Sequence, residues 1–152
     1  MTVMVVVAAS LCVFVIAAVT TVRWRVKRDL EANSIEPDEL HALLKKGEVL
    51  LFDVRQPLDV PAYPEVIPGA IRIAPKDAAE LSASYSRDEP AVLYCTGADD
   101  KTGAMVLGKV RALKFTRVKL LRGGLQAWKD RGYPVEQSTE PFQLDVRGQE
   151  PR

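Results

Sequence analysis

From Val3 to Val22 the chain carries no charged residue, and most positions are Val, Ala, Leu, Ile or Phe. A run of about 20 such residues is long enough to cross a bilayer as a helix. Its apolar character on every side exceeds what the core of a small soluble domain needs, which sets this segment apart from whatever the rest of the chain folds into. Arg23, Trp24, Arg25, Lys27 and Arg28 follow directly, a basic cluster with an aromatic residue at the presumed interface. By the positive-inside rule the C-terminal side is expected in the cytoplasm. The rival reading is a cleaved signal peptide. Such a peptide needs positive side chains before its apolar stretch and a small-residue cleavage site after it, and neither is evident here. Cys12, within the run, reads as a small lipid-compatible residue.

The remaining length leaves room for one globular domain of ordinary size with short appendages. Hydrophobic content of 47% and charged content of 27% describe a folded protein, and a net charge of +1 leaves no basic excess for phosphate neutralisation, so a nucleic-acid partner is not expected. The 2 cysteines, Cys12 and Cys95, lie in segments of opposite character, which argues against a disulfide framework. His41 alone cannot build a metal site. No metal and no cofactor is expected.

After a polar connector, Ile35 reads as an edge strand running into a helix with Pro37 at its first position. Leu40, Leu43 and Leu44 form the apolar face of that helix, and Gly47 ends it. Val49 to Val54 is a continuous apolar run bounded by charge, a buried strand. Gln56 to Gly69 contains Pro57, Pro61, Pro64 and Pro68 and reads as an extended loop. Ile71 to Ala74 alternates like a short strand, and Lys76 to Ser84 suggests a helix. Arg117 to Leu121 is another strand, Gly123-Gly124 a turn, and Leu125 to Arg131 a short helix closed by Gly132. Gln137 to Arg152 is polar with little periodicity and reads as a loose tail. Alternating strands and helices predict an α/β domain whose parallel sheet is covered on both faces.

The stretch with chemical consequences is Ala91–Thr102. Ala91-Val92-Leu93-Tyr94 reads as a buried strand, Cys95 stands at its end, and Thr96-Gly97-Ala98-Asp99-Asp100-Lys101 is a polar loop. Thr102 can cap a following helix with apolar positions at Met105, Val106, Val110 and Leu113. Ligands of parallel sheets bind beyond the C-terminal strand ends, where Cys95 falls. Backbone N–H groups and a helix N-terminus stabilise a thiolate in such a loop. The alternative is a buried structural cysteine, common for this residue. The glycine pairs match neither a P-loop nor a dinucleotide fingerprint.

Asp53-Val54-Arg55, Ile67-Pro68-Gly69-Ala70-Ile71, Tyr94-Cys95, and Gly123-Gly124 with Ala127-Trp128 and Gly132-Tyr133-Pro134 resemble, in order and spacing, the signatures of a rhodanese domain. The resemblance covers about residues 34–136. It implies a rhodanese-like three-layer α/β domain with a parallel sheet and helices on both faces, here preceded by one transmembrane helix. The expected organisation is an anchor at 1–23, a basic juxtamembrane linker at 24–33, the domain at 34–136 and a polar tail at 137–152. In active members of the family, a loop cysteine takes a sulfane sulfur, becomes a persulfide and passes the sulfur to a nucleophile. Cys95 matches that cysteine, and residues 96–102 match the substrate loop. The implied partner is a small sulfur-containing anion or a protein persulfide donor.

The chain departs from the commoner pattern at Val66, where a histidine is frequent, and in lacking a loop arginine. Its longer loop is similar to a subgroup reading Y-C-x-C-P-x-E-x-T-S, with Gly97 in place of the second cysteine and Ala98 in place of the proline. Lys101 favours an anion at Cys95, whereas Asp99 and Asp100 oppose one if they face it. Asp53 and Arg55 read as a structural ion pair. Three functions compete: a membrane-anchored sulfurtransferase with Cys95 as nucleophile, a silent rhodanese-like module binding a partner at the membrane, and a cysteine phosphatase. The last rests on the Cys95-x5-Lys101 spacing, and lysine lacks the planar fork of arginine that clamps a phosphoryl group.

Overall fold

The computed structural model describes residues 2–97 and 101–138, with side chains from residue 14 onward except residue 26. Two units divide the chain, Met1–Asn33 and Ser34–Arg152.

The first unit is one helix, α1 (Thr2–Ala32). It continues through the basic segment expected to be a linker, because Arg, Lys, Glu and Leu are good helix formers and no Gly or Pro interrupts them. Lys27 and Glu31 pair one turn apart at 3.9 Å. Asn33 closes the helix, its backbone N–H and its side-chain amide both donating to the Asp29 carbonyl. The expected transmembrane span is not borne out among the described residues, where no helix is long and apolar enough to cross a membrane. The first half of the apolar run, Cys12 included, lies outside the described side chains.

The second unit is built on strands β1 (Ser34–Ile35), β2 (Leu50–Asp53), β4 (Ile71–Arg72), β5 (Ala91–Tyr94) and β6 (Val118–Leu121). They form a wholly parallel sheet in the order β1-β6-β5-β2-β4. Four-residue strands suffice at the centre because β2 and β5 are buried on both faces, which is why they read as apolar runs, whereas β6 leaves Lys119 exposed between Val118 and Leu120. Register sets Asp53 beside Tyr94 at the C-terminal edge.

One face carries α2 (Pro37–Lys46) and α6 (Gly124–Asp130). Leu40, Leu125 and Trp128 from these helices pack with Leu51, Val92, Tyr94 and Leu121 of the sheet. Trp128 is buried, and its indole N–H donates to the Pro134 carbonyl at 2.9 Å. Acidic residues in the first turn of α2 and lysines in its last oppose the helix dipole favourably. Gly47 ends α2 at φ +67, a left-handed cap for which glycine carries no Cβ penalty. The other face carries a 3₁₀ turn (Pro75–Glu80), α4 (Leu81–Ser84) and α5 (Lys101–Ala112). Leu81, Val110 and Phe115 there meet Phe52 and Leu93 around a small apolar cavity at the N-terminal strand ends.

Several local expectations change. The Pro-rich segment 56–69 holds a one-turn helix, α3 (Asp59–Ala62), and a strand, β3 (Glu65–Val66). β3 pairs antiparallel with β7 (Glu136–Gln137), so Gln137 belongs to a strand and not to the tail. The helix expected over Lys76–Ser84 is a 3₁₀ turn followed by a short α-helix. Met105 is 45% exposed, whereas Val106 and Val110 are buried as their spacing predicts. The rest of the expected tail, from residue 139 on, lies outside the described residues.

Candidate functional site

β5 ends at Tyr94, and Cys95 follows at the C-terminal edge of the sheet. The Cys95 thiol is 2% exposed and donates to the Gly97 carbonyl at 3.6 Å. Two helix starts enclose the residue. The Cys95 carbonyl accepts from the Leu125 N–H at 2.8 Å and the Thr96 carbonyl from the Gln126 N–H at 3.1 Å, which fixes the loop backbone on the first turn of α6. Gly124, at φ +58, is required there: a Cβ would stand 2.4 Å from the Cys95 carbonyl oxygen. On the other side Gly103, in the first turn of α5, faces the sulfur. A Cβ on it would stand 2.9 Å from Cys95 Sγ.

Of the other expected loop residues, Thr96 and Gly97 are half-buried beside the cysteine, and Lys101 is the exposed first residue of α5. Thr102 lies inside the helix and not at its cap; its hydroxyl accepts from Gln56 Nε2 at 3.4 Å. Ala98, Asp99 and Asp100 lie outside the described residues.

Beneath the loop is a buried charged network. Arg55 Nη2 donates to Asp53 Oδ2 at 2.6 Å, Arg55 Nε to Oδ1 at 2.9 Å, and Arg55 Nη1 to the Tyr63 carbonyl at 2.7 Å. Arg72 Nη1 adds a bond to Asp53 Oδ1 at 3.0 Å. Asp53 and Arg55 are both at most 1% exposed, so this pair, read from sequence as structural, holds the Pro-rich segment against the sheet. Burial works against the Arg55 charge, but the hydrogen bonds and attraction of Asp53 outweigh it and raise its pKa. Burial pushes the Tyr94 phenol well above its ordinary value, with the Asp53 charge adding to the effect. The Tyr94 hydroxyl accepts from the Ile67 N–H at 3.4 Å.

Gly103, Arg72 and Gln56 escaped the sequence reading. Only Gly103 left a signal, a glycine inside the first turn of a helix where alanine is the better helix former. Among the described residues no cluster of His, Cys, Asp or Glu could hold a metal ion.

A parallel α/β sheet with a cysteine loop at its C-terminal edge, seated between two helix starts, defines the class of small α/β domains to which this unit belongs. The comparisons narrow the class. The rhodanese-like domain family model matches residues 36–131, and the chain belongs to that family. The rhodanese-like domain of the Alr3790 protein from Anabaena is 25% identical, with a TM-score of 0.60, over 79% of this chain and 92% of that one. A protein from Lactobacillus plantarum is 23% identical, with a TM-score of 0.65, over 76% of this chain and 97% of that one. The human single-domain sulfurtransferase is 23% identical, with a TM-score of 0.54, over 65% of this chain and 96% of that one. A comparison with curated proteins finds no match.

Proposed function

We propose that the chain is a membrane-anchored sulfurtransferase of the rhodanese type, with Cys95 as nucleophile and sulfur carrier. The observation that carries this reading is the seat of Cys95 Sγ against Gly103 in the first turn of α5. There the sulfur lies beside the first turn of a 12-residue helix, whose positive end favours the negative charge the atom must bear, first as thiolate and then as persulfide. In the reaction, the Cys95 thiolate attacks the outer sulfur of a donor such as thiosulfate. A sulfur–sulfur bond forms to Cys95, the donor's own sulfur–sulfur bond breaks, and sulfite leaves with that electron pair. An acceptor nucleophile then attacks the outer sulfur of the persulfide and returns the electron pair to Cys95 as thiolate. The human sulfurtransferase among the structural neighbours supports the same reading by analogy of fold.

The test is mass spectrometry of the full-length chain, in mild detergent, after thiosulfate treatment. One added sulfur on Cys95, absent from Cys95→Ser, is expected. A chain that takes up none supports the second reading, a silent module that binds a partner. The observation favouring that reading is the near-complete burial of Cys95.

Anchoring is proposed on the uncharged run Val3–Val22 and on the exposed apolar side chains of α1, among them Phe14, Ile16 and Val22. With the basic cluster following the run, the domain is placed in the cytoplasm. A reporter fused after Arg152 should be cytoplasmic, and a reporter found on the far side of the membrane overturns that orientation.

A further inference from the structure

Helix α5 contains two glycines, and they stand in opposite surroundings. Gly108 faces open space, with nothing within 4 Å of where a Cβ would be. Gly103 is buried, and a Cβ there would stand 2.9 Å from Cys95 Sγ and 2.9 Å from Leu120 Cδ1. Separations that short do not occur between real side chains, so both the sulfur and the leucine must give way when Gly103 gains a methyl group. Leucine has rotamers to spare. The sulfur can yield only by turning about χ1, because the Cys95 backbone is pinned from the other side: Leu125 N–H holds the Cys95 carbonyl, and Gly124 closes on the same oxygen. Glycine is the poorest helix former after proline, and its presence at 103 has a steric reason that its presence at 108 lacks.

We infer that Gly103 is the positioning residue of Cys95, its missing side chain being the seat in which the sulfur rests against α5. The inference rests on the sulfur-carrier reading and extends it. The loaded cysteine carries one more sulfur atom than the thiol and keeps its inner sulfur bonded to the same pinned residue. A methyl group at 103 therefore turns the sulfur away from the helix start, where the developing anion is stabilised, and lowers both loading and discharge. A distinguishing feature of this role is that it separates from folding. Leu120→Val removes both Cδ atoms that the new methyl would meet, and leaves the clash with Cys95 in place.

The experiment uses the full-length chain in mild detergent and four variants: Gly108→Ala, Gly103→Ala, Gly103→Ala with Leu120→Val, and Leu120→Val alone. Sulfur uptake from thiosulfate is followed by mass spectrometry, and melting temperature is recorded for each. Gly108→Ala and Leu120→Val should load like the wild type. Gly103→Ala with Leu120→Val should stay folded and melt above Gly103→Ala, relieved of the leucine clash but not of the sulfur clash, yet load at least about tenfold more slowly than Leu120→Val, the scale of loss expected for a reacting atom misplaced by a fraction of an ångström to one ångström. Equal loading by this folded double variant and the wild type overturns the inference.

A second measurement separates the inference from the reading beneath it. Gly103→Ala is compared in the Cys95 and the Cys95→Ala backgrounds by melting temperature alone. Should the wild type take up no sulfur, the carrier reading fails, and this comparison decides the inference. A larger fall with Cys95 than with alanine at 95 upholds the contact between residue 103 and the sulfur, and equal falls overturn it.

Discussion

The two ends of the parallel sheet are closed by different physics. At the N-terminal ends of the strands, Leu50, Ala91 and Val118 meet Leu81, Val110 and Phe115 around a small apolar cavity. At the C-terminal ends, Asp53 and Tyr94 stand side by side over Arg55, with Arg72 and the Tyr63 carbonyl completing the network. Hydrocarbon contact is non-directional, so the first end tolerates repacking. Hydrogen bonds between buried charges fix angles as well as distances, so the second end holds a geometry. The cysteine is found at the end that holds a geometry. The opposite end supplies adhesion and needs only to be filled.

The contrast is broken most severely by Arg55→Ala. It leaves Asp53 buried with Arg72 as its remaining cationic partner, and urea unfolding should show a loss of about 3–5 kcal/mol. Arg55→Lys should recover only part of it, since an ammonium cannot reproduce the fork that reaches two carboxylate oxygens and a carbonyl. At the other end Leu93→Ala should cost about 2–5 kcal/mol. The sharper comparison is Leu93→Met, which conserves volume and should cost less than about 1.5 kcal/mol. A Leu93→Met loss as large as that of Arg55→Lys would erase the distinction between the two ends.

Tyr94→Phe tests the network through pH. The folded state holds the Tyr94 proton more tightly than the unfolded chain, where the phenol titrates near about 10. That contribution is fully present below the unfolded value and is lost as pH rises towards the folded one. The wild type should therefore lose stability as pH rises above about 10, and Tyr94→Phe should lose less over the same interval. At neutral pH the variant should give up only about 1 kcal/mol, for one long hydrogen bond from the Ile67 N–H. The smallest effect is expected at the exposed rim of the sheet, just past β1 and β6. Arg122 and Glu36 form an ion pair in which each side chain is about half exposed, and Arg122→Ala should cost about 0–1 kcal/mol, less at high salt.

These two ends were unequally legible in the sequence. The continuous apolar runs that form β2 and β5 gave away buried parallel strands, and the stretch from Leu125 to Arg131, closed by Gly132, gave away α6. The Asp53–Arg55 pair was readable because its members are two residues apart. Arg72 joins it only through the pairing of β4 with β2, and no local pattern announces that. β3 and β7 are two residues each, too short for any period, and their pairing is set by where the rest of the fold brings them. The cysteine was legible from its place after a strand. Gly103 was not, because its reason lies eight positions back along the chain and across the loop.

The pairing of β3 with β7 also sets an order of events during synthesis. On the ribosome, β1 through β6 and helix α6 emerge before Glu136, so the sheet that carries the sulfur can assemble on the nascent chain. Pro64 to Val66, held by the Lys129–Glu65 ion pair, lacks its strand partner at that moment, since Glu136, Gln137 and the Ser138 N–H, which binds the Pro64 carbonyl at 2.7 Å, are still inside the exit tunnel. The segment whose Tyr63 carbonyl receives Arg55 is therefore fully fastened last, and a released chain cut before Glu136 keeps every strand of the five-stranded sheet while its strap stays open.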